Sequence, residues 1–157
     1  MKYLYLILFI ILFVNFKRIE KFTREKLVYK CFNDKQLNNF KEYEDNSLVI
    51  KNDYGVLYLT PTELVNDLPY VPFVGGGMFL NNLCVDPEFR NKGYATDLIN
   101  QAIDKTKKLN RNHILCQIET KNIKSLNLFK NKFKFNLLEK GLNQYDEPFE
   151  NLIKMIH

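Results

Sequence analysis

The chain predicts a mixed α/β domain, a central sheet with flanking helices, on the strength of three stretches. Met78 to Val85 is an apolar run fit for a buried strand, and Pro87, which has no N–H for a ladder, closes it. Ala95, Leu98, Ile99, Ala102, Ile103 and Leu109 then recur at helical spacing, with Asp97, Gln101, Asp104, Lys105 and Lys108 between them. His113 to Glu119 follows as a second buried strand.

Between the first strand and the helix lies a short basic turn, Arg90-Asn91-Lys92-Gly93-Tyr94-Ala95. The first turn of a helix carries N–H groups without intrahelical partners and the positive end of the dipole. Gly93 lets the backbone approach a ligand or take φ > 0, Ala95 adds little bulk, and Arg90 and Lys92 supply charge. A phosphate or pyrophosphate is well held by such a turn. The same spacing also fits an ordinary strand-to-helix connection with two solvated cations.

The remaining elements are read in chain order. Leu27 to Phe32 is a first strand, and Asn33 or Asp34 caps a short helix that buries Leu37 and Phe40. Ser47 to Ile50, the turn Asn52-Asp53-Tyr54-Gly55, and Val56 to Leu59 form a hairpin. Pro61 to Gly77, with Pro69, Pro72 and three successive glycines, is a long connection, either part of an acceptor pocket or a surface loop. Asn122 to about Lys132 is a second helix, with Ile123, Leu126, Phe129 and Phe133 on or near one face. Phe133 to Leu138 and Asn151 to Ile156 pair antiparallel across a polar loop around Gly141 to Pro148.

A length of 157 residues suits one globular domain with a real core. The net charge of +5 is spread along the chain, so it supports no specific nucleic-acid binding and only a weak bias towards anionic ligands or membrane surfaces. Cys31, Cys84 and Cys116 are an odd set without CxxC spacing, each in an apolar run, and are expected as buried free thiols in a reducing compartment. With His113 and His157 the only histidines, no metal site is expected.

The amino terminus differs in kind. Tyr3 to Val14 is unbroken apolar sequence, Phe16 follows Asn15, and Lys17, Arg18, Lys21, Arg24 and Lys26 come next. No small-x-small cleavage site follows, so the expectation is a hydrophobic helix over residues 3–16 that anchors the chain in a membrane. The positive-inside rule puts the basic flank and everything after it in the cytosol. The chain thus divides into an anchor segment, 1–25, and a domain, 26–157. A buried amino-terminal strand or helix of the domain is the alternative.

Val85-Asp86-Pro87-Glu88-Phe89-Arg90, running into Arg90-Asn91-Lys92-Gly93-Tyr94-Ala95, resembles the cofactor motif of the GNAT superfamily of acyl-CoA N-acyltransferases, V-x-P-x-x-R then R/Q-x-x-G-x-G/A. The resemblance implies a GNAT-like mixed sheet with flanking helices and acetyl-CoA as acyl donor. It sets the turn amides, Arg90 to Ala95, on the donor's pyrophosphate. Main-chain groups of Leu83 and Val85 run beside the pantetheine, and one of their N–H groups meets the oxyanion. Asn122, Ser125 and Leu128 fit the start of a second family motif, N-x-x-S/A-x-x-L-Y-x-K-x-G-F, which brings Asn122 and Ser125 to the donor.

That second motif then breaks. Phe129 stands where the family has its proton-donating tyrosine, and Phe133-Lys134-Phe135 stands where a glycine is usual. A slip of one residue supplies no tyrosine either, which leaves Ser125, Cys116, Tyr145 or a water to protonate the leaving thiolate. Glu119, at a strand end, is either a base acting through water or a solvated strand-end residue. His113 is structural, and Asn81 and Asn82 are candidates for the acceptor site. The function implied is acetyl transfer from acetyl-CoA to a primary amine, by direct attack in a ternary complex. The alternative is a degenerate module that binds acyl-CoA or a partner without turnover.

Overall fold

The computed structural model describes residues 31, 46–65, 68, 76–143 and 146–157. The anchor segment and most of the expected first strand and helix lie outside them. Cys31, at the end of that expected strand, is helical. Among the described residues no helix is long and apolar enough to cross a membrane.

Among the described residues six strands form one sheet: β1 (Leu48–Asn52), β2 (Gly55–Pro61), β3 (Met78–Val85), β4 (His113–Glu119), β5 (Asn136–Leu142) and β6 (Pro148–Met155). Their spatial order is β1-β2-β3-β4-β6-β5. The β3–β4 pair is parallel, and every other neighbouring pair is antiparallel. The parallel step needs a crossover, and helix α1 (Tyr94–Lys108) supplies it. A second helix, α2, starts at Ile123–Asn127 and continues as a π-helix over Leu128–Lys132.

The hairpin β1–β2 turns at Asp53-Tyr54, and β3 and β4 match the expected strands end to end. The carboxy-terminal pair differs from expectation. Phe135 is buried and its N–H bonds the carbonyl of Phe129, so it closes the second helix instead of opening a strand. Accordingly β5 begins at Asn136 and runs through Leu142, and β6 already begins at Pro148.

The core lies where α1 and α2 cover one sheet face. Leu98, Ile99 and Ala102 of α1 are fully buried against Leu57, Leu59, Ile114, Cys116 and Leu152. Side chains such as Leu98 each contribute about 1.5–3 kcal/mol by burial. On the opposite face, Val56, Tyr58 and Cys84 form a smaller cluster with Cys31 and Val49. There Cys31 and Cys84 are joined by a disulfide with Cα atoms 5.8 Å apart. The expectation of three free thiols therefore fails for this pair, since a bond across 53 residues of sequence leaves no trace in spacing. Cys116 is free and buried, as expected.

Candidate active site

Strand β3 is bent where the site begins. Asn82 takes φ 48, and the register with β2 slips, so Val56 faces Cys84 while Tyr58 faces Asn81. The extra residue is a β-bulge. Below it Met78 and Leu80 face the core, and above it Leu83 and Val85 do so. The pairing of β3 with β4 extends over Met78↔Ile114 and Phe79↔Leu115 alone. Beyond Phe79 the two parallel strands part, and a cavity of about 570 Å³ opens between the end of β3, the start of α1 and the start of α2.

The turn into α1 is built from local backbone rules. Asp86 accepts from the N–H of Glu88, and Pro87 opens a short 3-10 turn through Phe89. Asn91 and Gly93 both take left-handed conformations, φ 62 and φ 91, which Asn tolerates and Gly favours. A Cβ placed on Gly93 would meet nothing within 4 Å, so the glycine opens onto free space. Gly93 then caps α1, accepting from the N–H of Asp97 at 3.0 Å. The amides between them carry the positive end of a fifteen-residue helix.

The hairpin turn braces this structure from behind. Tyr54 stacks on Phe89 with ring centroids 3.7 Å apart and meets Tyr94 edge-on at 4.9 Å. Asn52 Nδ2 donates to the Tyr94 carbonyl at 3.1 Å and to Asp97 Oδ2 at 2.9 Å. Neither Asn52 nor Tyr54 was legible as a site residue, because the contact joins turns some forty positions apart. Phe89 also lines the cavity.

The structure brings nearly all the sequence-derived donor residues to one place. Leu83, Val85, Arg90, Asn91, Gly93, Tyr94, Ala95, Asn122 and Ser125 all line the cavity. Lys92 does not; its ammonium lies 4.8 Å from the centroid of the Phe89 ring. Arg90 is bound to the strand, with Nε donating to the Val85 carbonyl at 3.1 Å. Asn122 caps α2, its Oδ1 accepting from Ser125 N at 3.2 Å. Cys31, Thr96, Lys124, Leu128 and Lys132 complete the lining; of these, Leu128 is a residue of the second motif, and Lys132 stands at that motif's lysine when it is counted back from Phe135. Arg90, Lys124 and Lys132 make the lining cationic, and no carboxylate stands among its described residues.

Glu119, Phe129 and Cys116, three of the positions considered for acid and base, lie elsewhere. Glu119 is absent from the lining, and its carboxylate is 3.2 Å from Lys121 Nζ. Phe129 is 3% exposed and packs edge-on to Phe135 at 5.1 Å, in the core rather than on the cavity. Burial pushes the Cys116 thiol far up, which makes it a poor proton donor. Tyr145 lies outside the described residues. Among the described residues, Ser125 alone of the proposed proton sources lines the cavity. Asn81 is buried on the other side of the bulge, its Nδ2 donating to Thr60 Oγ1 at 2.7 Å. His113 is buried too, and burial holds its pKa below the usual value.

The π-helix explains the broken second motif. It inserts one residue between Asn122-Ser125-Leu128, which fit from the front, and the end of the motif. Counting back from the end, Lys134 stands at the glycine position and takes φ 57, with Phe135 buried after it. The backbone shape that glycine usually supplies is thus kept by a lysine.

The profile of the Acetyltransferase (GNAT) family matches residues 20–135. A search of curated protein sequences finds none that matches this chain. Among solved structures, the fold is similar to the IAA acetyltransferase from Bacillus cereus, with TM-score 0.62 and 16% identity over 83% of this chain and 91% of that one. It is likewise similar to the ribosomal-protein-S18-alanine N-acetyltransferase from Escherichia coli, with TM-score 0.61 and 16% identity over 83% and 84%. A GNAT family acetyltransferase from Elizabethkingia anophelis with acetyl-CoA bound superimposes with TM-score 0.60 at 15% identity, over 83% and 89%. The family match extends over well more than half the sequence, from before the first described residue to the end of the second motif. This chain belongs to the acetyltransferase (GNAT) family.

Proposed function

We propose that the protein transfers an acetyl group from acetyl-CoA to a primary amine, on a protein or a small molecule. The observation that carries this reading is the parting of β3 and β4 beyond Phe79, next to a cationic cavity at the start of α1. A thioester arm laid along the bent strand brings its carbonyl to the main chain of Leu83 and Val85, while its phosphates meet the turn from Arg90 to Ala95. That related folds are known with acetyl-CoA bound supports the choice of donor.

In the reaction the neutral amine attacks the thioester carbonyl. The N–C bond forms, an oxyanion develops against a β3 N–H, and collapse breaks the C–S bond. The amine's proton leaves to solvent or a nearby base, and the thiolate takes up a proton to become the free thiol. Holding both reactants in one groove contributes much of the rate, because the encounter becomes effectively unimolecular. A thiolate of pKa near 8.5 leaves tolerably without a dedicated acid. Ser125, on the lining, is the side chain best placed to order a water for that proton.

Calorimetry of the full-length protein with acetyl-CoA, followed by thiol release in the presence of an amine panel, tests the reading. Saturable binding with amine-dependent release supports transfer. Binding without release from any amine would reduce the protein to an acyl-CoA-binding module, and absence of binding would remove the donor assignment altogether.

The proposal extends to location: residues 3–16 and the basic flank tether the domain to the cytosolic face of a membrane. The support is the unbroken apolar run and the charge that follows it. A cytosolic setting keeps Cys31 and Cys84 as thiols, whereas the closed disulfide belongs to an oxidising one. Alkylation of the protein in intact cells decides between them: three reactive thiols after denaturation fit the tether, and one contradicts it.

A further inference from the structure

Resting on acetyl-CoA as the donor, we propose that Lys132, carried over the first turn of α1 by the π-helix, is the cation that holds the donor's diphosphate. The sequence assigns that task to Arg90 and Lys92. In the structure Lys92 lies on the Phe89 ring and off the cavity lining, and Arg90 is bonded to the Val85 carbonyl. Lys132 points the other way, with Nζ 3.0 Å from Thr96 Oγ1 in the first turn of α1. Its partner there is a neutral hydroxyl.

This placement sets like charge against like. The first turn of α1 is the positive end of the helix, and Arg90 and Lys124 share the same lining. A lysine brought to that spot, with no carboxylate among the described lining residues, is stabilised by an anion bound between the two helices. The π-helix makes this reach possible. One inserted residue rotates the side chains after it by about 100° relative to an unbroken α-helix, and π-bulges concentrate at functional sites. The insertion that breaks the family motif thus also delivers a cation from the second helix to the anion site of the first.

The test uses the full-length protein in detergent, with Lys132→Met, Lys132→Arg and Lys92→Met variants. The ligands are acetyl-CoA, 3′-dephospho-acetyl-CoA, S-acetylpantetheine and inorganic pyrophosphate. Because Lys132 and Lys92 are exposed, all variants are expected to melt like the parent. Lys132→Met should weaken acetyl-CoA and its 3′-dephospho form equally, by about tenfold, and pyrophosphate likewise, while S-acetylpantetheine binding is unchanged. Lys132→Arg should restore most of the affinity, and Lys92→Met should weaken it less than Lys132→Met does.

Acetyl-CoA binding within twofold of the parent in Lys132→Met overturns the inference and leaves the donor assignment standing. A loss confined to ligands that carry the 3′-phosphate also overturns it. If the parent takes pyrophosphate through Lys132 but not acetyl-CoA, the donor assignment falls and the anion site stands. Failure to bind either ligand overturns both.

Discussion

The two walls of the cavity were written into the sequence in different ways. One wall, from Asp86 into α1, is set by residues that fix their own backbone: Pro87 at the head of a 3-10 turn, Asn91 and Gly93 at positive φ, and an apolar stripe behind them. The other, from Asn122 to Phe135, shares its apolar spacing with an ordinary α-helix and hides an inserted residue in a π-turn. The first wall can be read position by position. The second cannot, because a shift of one residue leaves the same apolar composition facing the core.

The largest effect should come from breaking the first wall. Gly93→Val forces a β-branched residue to φ 91 and fills the open space beside the turn. Acetyl-CoA affinity should fall well over tenfold, since backbone approach to the phosphates is lost. Calorimetry checks this, and an unchanged dissociation constant would remove the turn from the site.

On the second wall, Phe129→Tyr separates a sequence register from a structural one. Were Phe129 beside the leaving sulfur, a restored hydroxyl would raise turnover. Its burial against Phe135 predicts instead a loss of about 1–3 kcal/mol of stability, from an unpaired buried hydroxyl, and no gain in turnover. Denaturant unfolding and thiol-release rates measure the two outcomes separately.

Lys134→Gly sharpens the comparison in the other direction. If Lys134 holds the glycine position at φ 57, glycine there should stabilise the protein by about 1 kcal/mol. A destabilised variant would mean that the lysine's side chain, not its backbone, is what that position requires.

The smallest effect is a pH dependence on the sheet that carries both walls. Burial lowers the His113 pKa in the folded state, so the unfolded chain binds the extra proton and stability falls as pH drops below about 6.5. Glu150 has its pKa lowered chiefly by the hydrogen bond from Lys130 at 2.7 Å. Its contribution is present above the unfolded carboxylate value of about 4.3 and is lost as pH falls through the lower folded value. Melting temperature should therefore decline in two stages on acidification. Removal of the first stage in His113→Gln, with the second retained, would confirm the assignment.

Most of the fold was legible where local rules dominate. The hairpin turn, both ends of β3 and β4, and the stripe of α1 follow from alternation, Pro87 and helical spacing. The start of β5 was not, because Phe135 reads as a strand residue yet serves as the buried end of the second helix. The donor turn was legible in its backbone but not in its cations: Lys92 and Lys132 are both lysines near apolar residues, and only the packing decides which one reaches the cavity. The brace from Asn52 and Tyr54, and the bond between Cys31 and Cys84, are long-range pairings of residues that carry no local signal.

Amide hydrogen exchange of the full-length protein, with and without saturating acetyl-CoA, tests the central claim most directly. A donor lying between the two walls should protect amides across 83–96 and 122–132, on the bent strand, the turn and the second helix. Asn143 and Asp146, whose N–H groups bond the carbonyls of Glu147 and Asn143, should exchange unchanged. Protection spread elsewhere in the sheet, with neither 83–96 nor 122–132 affected, would contradict the account.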